Sequence, residues 1–230
     1  MPIRKNKFVS GCYYHIYNRG NAKRIIFHDM HDYVRFTELL YIANTTENFK
    51  TEWQDADVFS KAQSQPLVAI GAYCLMPNHF HLLITPITEN GISEFMLKLC
   101  TAYVTYFNHK YQLSGSLFEG RFKSIYVDAD RYMKYLFSYI HLNPLKLLDR
   151  DWKIKTWNST MILDFLERYD YSSFHTYLGR KEHSSAHIIN RSTFPNYFPT
   201  EQEFLKELTS WFKLNDYYNR PGLTDPACKN

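Results

Sequence analysis

The apolar and polar positions along the first two thirds of the chain predict alternating strands and helices. Short β-prone or apolar runs at 12–17, 67–75, 79–85 and 122–127 predict four strands. Apolar residues three and four apart predict helices at 31–49, 92–111 and 129–143. The order β-α-β-β-α-β, followed by a helix, favours an α+β fold: a ferredoxin-like antiparallel sheet with helices on one face.

The remaining segments carry weaker patterns. Residues 50–66 are polar and predict a connection, while 161–166 and 201–212 predict helices and 190–200 predicts a loop. We therefore expect one domain at 8–147 and a mostly helical and loop extension at 148–230. No motif stands out from residue 183 onwards.

Composition predicts a soluble, cytoplasmic protein. The 230 residues include 45% hydrophobic and 22% charged residues, and no apolar run approaches the ~20 residues of a membrane span. The basic N-terminus lacks the apolar core of a signal peptide. Four widely spaced cysteines predict reduced thiols rather than a zinc motif. The net charge of +4 is compatible with nucleic acid without requiring it.

Two histidines lie two residues apart in the predicted hairpin, after the turn signal Met76-Pro77-Asn78. Because alternate residues of a strand point to the same face, His79 and His81 project together. Two imidazoles on one rigid strand form half of a divalent-metal site. The other interpretation is a pair of surface or half-buried histidines.

A tyrosine and an asparagine lie four residues apart in Tyr139-Ile140-His141-Leu142-Asn143-Pro144. On a helix this spacing places Tyr139 and Asn143 on the same face. Pro144 disfavours a helical conformation at Asn143 and predicts the helix end there. The other interpretation is a core aromatic stripe that ends in an asparagine cap.

Five segments in this order resemble the single-tyrosine HUH transposases of the IS200-like group, and in particular the REP-associated tyrosine transposases. The segments are Tyr14-His15-Ile16-Tyr17-Asn18-Arg19-Gly20-Asn21, Met76-Pro77-Asn78-His79-Phe80-His81, Gly115 to Ser124 with its Glu119-Gly120-Arg121-Phe122, Tyr139 to Pro144, and Tyr171 to Gly179. The resemblance spans residues 8 to 180. It implies that the last predicted helix lies across the sheet and brings Tyr139 near the two histidines.

The resemblance also implies a chemistry. Tyr139 would attack a DNA phosphodiester, leaving a 5′-phosphotyrosine and a free 3′-hydroxyl, and a later attack by a 3′-hydroxyl would rejoin strands. His79, His81 and Asn143 would hold Mg²⁺ or Mn²⁺. Tyr126, Tyr132 and Tyr135 are close competitors for the role of nucleophile, and only the motif selects Tyr139.

The implied partner is single-stranded or hairpin DNA, such as a REP-like palindrome, bound by a bacterial, nucleoid-associated protein that acts as a monomer or homodimer. Phosphate contacts need cations. The basic candidates for DNA binding are Arg4, Lys5, Arg19, Lys23, Arg24, Arg121 and Lys123. Solvated surface charge is the other interpretation for each group, and a structural ion pair is an equal alternative for Glu119 and Arg121.

Two other functions stay open at this stage. One is a non-catalytic nucleic-acid-binding protein, a domesticated transposase. The other is a metal-dependent hydrolase that uses activated water and forms no covalent intermediate. A covalent protein–DNA adduct would separate both from the transposase hypothesis.

Overall fold

All four predicted strands are present in the computed structural model, which describes residues 7–48, 58–60, 65–152 and 157–211. They are β1 (Tyr13–Arg19), β2 (Val68–Met76), β3 (His79–Pro86) and β4 (Lys123–Val127). The strands form one antiparallel sheet in the order β2-β3-β1-β4. This is the ferredoxin-like order, with β3 and β1 in the centre, and the predicted fold class is confirmed.

The two helices that connect the strands cover one face of the sheet. They are α1 (Met30–Ile42) and α2 (Gly91–Tyr111). A reciprocal capping box between Asp29 and Asp32 starts α1. α1 ends seven residues before the predicted 49, and residues 49–57 lie outside the described ranges. Side chains of both helices pack in one core with the strand residues of this face, among them Ile16, Phe80 and Leu82.

All but one of the remaining helices of the described ranges lie on the opposite face, so the prediction of helices on one face does not hold for them. They are α3 (Asp130–Leu142), α4 (Leu145–Leu148), α5 (Ser159–Glu167), α6 (Phe174–Tyr177) and α8 (Glu201–Ser210). The exception is α7 (Ser185–Ile188), whose Ile188 packs in the first core. Apolar strand residues such as Cys74 and Leu83 face this layer and pack in a second core with Leu136 and Ile140 of α3. Much of the second face is also apolar, and burying it stabilises a second helical layer.

The segment after α5 runs along β2, which is an edge strand. The backbone N–H of Leu75 donates to Tyr171 at 2.9 Å, that of Ser173 donates to Tyr73 at 3.0 Å, and that of Asn190 donates to Ile70 at 2.9 Å. These bonds cover the backbone groups of an otherwise open sheet edge. The expected domain boundary at 147/148 stays a prediction. No helix within the described ranges has both the length and the apolar character needed to cross a bilayer.

Candidate active site

β3 presents His79 and His81 on the face that α3 covers. Phe80 points to the other face, where its ring packs 5.0 Å from that of Phe36. The two imidazole centroids are 5.0 Å apart at an interplanar angle of 85°. His81 is fully buried and His79 is 7% exposed. The predicted pair therefore stands at the inner surface of the second core rather than on the protein surface.

Each imidazole is oriented through its Nδ1 atom. Nδ1 of His79 lies 2.6 Å from Oδ1 of Asn78. Nδ1 of His81 lies 2.9 Å from Nε2 of His15, a fully buried residue of β1. The Asn78 oxygen can only accept, so it places the His79 proton on Nδ1, and the contact with His15 holds the His81 ring. A metal ion would be bound through Nε2 of each ring.

α3 places Tyr139 against the same histidines. The phenol ring meets that of His81 edge-on at 5.5 Å and 76°, and that of His15 at 6.1 Å and 77°. Tyr139 is 4% exposed. The fold thus brings together two motifs that are some sixty residues apart in the sequence.

The competing tyrosines occupy other positions. Tyr132 and Tyr135 continue a stack along α3, with successive ring centroids at 6.0 and 5.9 Å ending at Tyr139. Tyr135 also packs 4.9 Å from Trp211, which follows α8. Tyr126 is on β4, opposite Tyr14 of β1, and the two rings are 5.8 Å apart on the α1–α2 face of the sheet. Tyr126 is therefore on the wrong side of the sheet to reach the histidines.

Asn143 ends α3, yet its conformation differs from the prediction. Its backbone is helical, with φ −54° and ψ −39°, and α4 follows directly after Pro144. Its Nδ2 donates to the Tyr139 carbonyl at 2.9 Å, while its Oδ1 accepts from Lys146 Nζ at 2.8 Å. These two bonds stabilise the helical backbone that a following proline disfavours. The carboxamide that was predicted to bind metal is here engaged with Tyr139 and Lys146.

Lys146 is a neighbour of the tyrosine that the sequence motifs did not single out. Its Nζ lies 5.3 Å from the centroid of the Tyr139 ring. A cation at that distance from an aromatic ring is attracted to its face. Lys146 is in α4, the short helix that follows Pro144, and this helix places the Lys146 side chain beside the Tyr139 ring.

The strand register extends this face across the sheet. His79 lies opposite Arg19, and His81 lies opposite Tyr17, which in turn lies opposite Lys123. Directly opposite residues share a face, so Arg19 and Lys123 are on the side of the histidines. Arg19 makes a close ion pair with Glu119, with the shortest N–O distance 2.9 Å. The sequence left open whether Glu119 has a functional role or forms a structural ion pair. In the structure Glu119 forms an ion pair, and its partner is Arg19.

Lys23 and Arg24 lie in an exposed loop at the His79 end of the sheet. The loop is held beside the β2–β3 turn, since Asn78 Nδ2 donates to the Lys23 carbonyl at 3.3 Å. Gly20 allows the tight approach, because a Cβ there would lie 2.2 Å from the Arg24 carbonyl oxygen. The backbone that carries both cations thus lies beside the turn that precedes His79.

Arg121 is not brought to this site. Arg121 lines a cavity of about 600 Å³ on the α1–α2 face, together with Lys7, Asn18 and Phe122. Arg4 and Lys5 lie outside the described residues. The described members of the predicted DNA-binding set are therefore divided between the two faces of the sheet.

His141 is the histidine of the tyrosine motif, and it belongs to the core. Its Nε2 lies 2.7 Å from Ser173 Oγ and its Nδ1 lies 2.8 Å from the Phe137 carbonyl oxygen. Complete burial lowers the pKa of His141 to about 4. The side chain is neutral at pH 7 and links α3 to the segment that covers β2.

Comparison with known proteins gives one family match. Residues 8–143 match the family model for the IS200-like transposases, a range that includes His15, His79, His81, Tyr139 and Asn143. No curated protein matches the chain. Among solved structures, the chain is similar to a REP-associated tyrosine transposase bound to a REP hairpin. The identity is 14% and the TM-score 0.48, over 78% of this chain and 87% of that chain.

Proposed function

This chain belongs to the IS200-like transposase family, and we propose that it cleaves and rejoins single-stranded DNA through Tyr139. The observation that carries the proposal is the contact of the Tyr139 ring with His81 and His15, at 5.5 and 6.1 Å. A phenol held against imidazoles of two adjacent strands is a nucleophile beside a metal-binding or proton-accepting group.

The proposed step is an attack of the Tyr139 oxygen on a DNA phosphorus atom. The phenol loses its proton, the O–P bond forms, and the bond from phosphorus to the 3′-oxygen breaks. The leaving 3′-oxygen gains a proton, and the 5′-phosphate stays on the tyrosine. Attack by a 3′-hydroxyl reverses the step, so strands are rejoined without ATP. Lys146, 5.3 Å from the ring centroid, stabilises the developing negative charge.

The donor set fits a divalent cation. Two imidazoles on one strand keep their Nδ1 atoms engaged with Asn78 and His15, so that both would bind metal through Nε2. Asn143 would join them by exchanging its contact with Lys146 for the ion. Mg²⁺ and Mn²⁺ suit such a mixed nitrogen and oxygen set, and imidazole favours Mn²⁺. When bound, the ion polarises the scissile phosphate as a Lewis acid.

Access to the nucleophile requires movement. Tyr139 is 4% exposed, and the stack that ends at Tyr139 is held at Tyr135 by Trp211. A salt bridge between Lys134 and Glu207 at 2.8 Å also joins α3 to α8. DNA can reach the phenol only when α3 or the α8 segment shifts. The proposed reaction therefore includes an opening step before chemistry.

The proposed substrate is a single strand next to a hairpin. Lys23 and Arg24 beside the β2–β3 turn, and Lys123 on the edge strand β4, are exposed, and in the proposed complex they contact DNA phosphates. An in-line attack needs a phosphate that can be bent into the site, which an unpaired strand permits and a continuous duplex resists. We expect hairpin DNA with a single-stranded flank to bind more tightly than blunt duplex of equal length, with affinity falling steeply as salt rises.

The polarity of cleavage tests the chemistry. A hairpin oligonucleotide with a single-stranded flank is labelled at its 5′ end in one sample and at its 3′ end in another, and is incubated with the protein and Mn²⁺. Only the 3′-labelled strand is expected to stay attached to the protein in denaturing gels, since the 5′-phosphate is on the tyrosine. Cleavage with no attached strand would support the hydrolase instead, and binding with no cleavage would support the non-catalytic binder.

A further inference from the structure

A second group of ligand-type side chains lies in the segment that follows α5. Asp170 is in the loop before α6, His175 is in α6, and His183 is in the turn between α6 and α7. Within the described ranges, these three are the histidine and acidic residues whose ligand atoms all lie within 4.8 Å of one another. They are carried by different elements from those that hold Tyr139 and its histidines.

Two of the three ligand atoms already stand at a coordination distance from each other. His175 Nε2 lies 3.5 Å from Asp170 Oδ1. Two ligands of a tetrahedral Zn²⁺ ion with bonds of about 2.0–2.2 Å are roughly 3.3–3.6 Å apart. His175 is 7% exposed, and its Nε2 is buried without a hydrogen-bond partner in the described part of the chain. A bound cation would offset the cost of burying that nitrogen.

His183 supplies the third donor. Its ring stacks on that of His175, with centroids 4.1 Å apart at 17°. Its Nδ1 accepts from the Ser185 backbone N–H at 3.2 Å and lies 2.7 Å from Ser185 Oγ, so a metal-bound His183 must exchange these contacts for the ion. Parallel rings cannot aim both lone pairs at one ion, so His183 must turn to complete the site. His183 is only half-buried and lies in a turn, which leaves room for that rotation.

The local charges favour a neutral imidazole pair beside an anion. Burial lowers the pKa of His175, and burial followed by the neighbouring His175 lowers the pKa of His183 to about 4. Asp170 is exposed and contributes the carboxylate. The positive charge of Arg180 repels a cation at this site, but Arg180 forms a 2.8 Å salt bridge with Glu167, which reduces that repulsion.

We propose that Asp170, His175 and His183 form a zinc site separate from the tyrosine centre. Two imidazoles and one carboxylate are a common zinc donor set, with water in the fourth position. The loop that carries Asp170 is bonded along β2 through Tyr171 and Ser173. A zinc ion would tie that loop to the turn before α7, and so stabilise the covering of the edge strand.

Zinc content tests the site without reference to DNA cleavage. Full-length protein is equilibrated with Zn²⁺ alone, dialysed, and analysed for metal by mass spectrometry, with thermal unfolding followed in parallel. His183→Ala and the milder Asp170→Asn are compared with the wild type. His187→Ala is the matched control, since His187 is an exposed histidine four residues further on and outside the cluster.

We expect the wild type and His187→Ala to hold one more zinc equivalent than His183→Ala and Asp170→Asn. Zinc should raise the unfolding temperature of the first two and raise it less in the others. Repeating the comparison in a His79→Ala/His81→Ala background removes any zinc held at the tyrosine centre. Equal zinc content and equal thermal shifts in all variants would overturn the proposal.

Discussion

Replacing His15 tests how the buried neighbour of His81 contributes to the site. When His81 binds metal through Nε2, its Nδ1 carries the proton and donates to His15 Nε2, which is 2.9 Å away. His15→Ala removes this acceptor and leaves the His81 ring without the contact that fixes its tautomer. Loss of such an outer contact costs roughly 10–100-fold in metal affinity, or about 1.4–2.8 kcal/mol.

The assay is the rate of hairpin cleavage as a function of Mn²⁺ concentration. His15→Ala should require roughly 10–100-fold more Mn²⁺ for half-maximal rate and approach the wild-type rate when Mn²⁺ is saturating. His15→Gln is the matched variant, because its carboxamide oxygen can accept the same hydrogen bond, and it should recover part of the lost affinity. An unchanged Mn²⁺ dependence in a folded His15→Ala protein would refute the reasoning.

Three further predictions concern the ligands, the cation and the core histidine. His79→Ala or His81→Ala should abolish cleavage, as should EDTA, yet keep hairpin binding in gel shifts because phosphate contacts dominate affinity; full cleavage in EDTA would contradict this. Lys146→Gln should slow cleavage roughly 2- to 30-fold under single-turnover conditions, since a cation–π contact is worth about 0.5–2 kcal/mol, and an unchanged rate would exclude Lys146 from the chemistry. The unfolded chain protonates His141 below pH 6.5, whereas the folded chain does so only near its pKa of about 4, so stability falls as pH drops through this window, by roughly 3 kcal/mol for this residue. Urea unfolding of His141→Gln should show a shallower fall, and equal slopes would contradict the assignment.

The strands and the tyrosine helix follow from the sequence because their signals are local. The turn at Met76-Pro77-Asn78 fixes the hairpin, and its register follows from the adjacent strands. The proximity of Tyr139 to the histidines did not follow from periodicity. It was implied by the resemblance to a family, and the structure shows the contact at 5.5 Å.

The neighbours that orient the site were missed because they depend on pairing between distant segments. His15 has the same spacing to Tyr17 as His79 has to His81, which is a weak signal for a shared strand face. Its contact with His81 arises only from the register between β1 and β3, which lie some sixty residues apart. The pairing of Arg19 with Glu119, a hundred residues further on, was hidden for the same reason.

The second helical layer could not be predicted from the strand and helix order alone. That order predicts helices over one face of the sheet. The apolar residues of the other face are equally consistent with a face that a partner protein covers. In the structure, α3 and the segment after α5 cover this face, and they do so through long-range packing of residues such as Ile140 and Phe174. The conformation of Asn143 depends likewise on Lys146, which no motif included.

The most direct test of the central claim is the identity of the residue that becomes bonded to DNA. Wild type, Tyr139→Phe and Tyr135→Phe are incubated with Mn²⁺ and a hairpin oligonucleotide, and covalent adducts are separated in denaturing gels. Each substitution removes one oxygen and keeps the ring of the stacked pair, whose centroids are 5.9 Å apart. We predict an adduct with the wild type and with Tyr135→Phe, and none with Tyr139→Phe, although Tyr139→Phe still binds the hairpin. An adduct that persists in Tyr139→Phe would contradict the account.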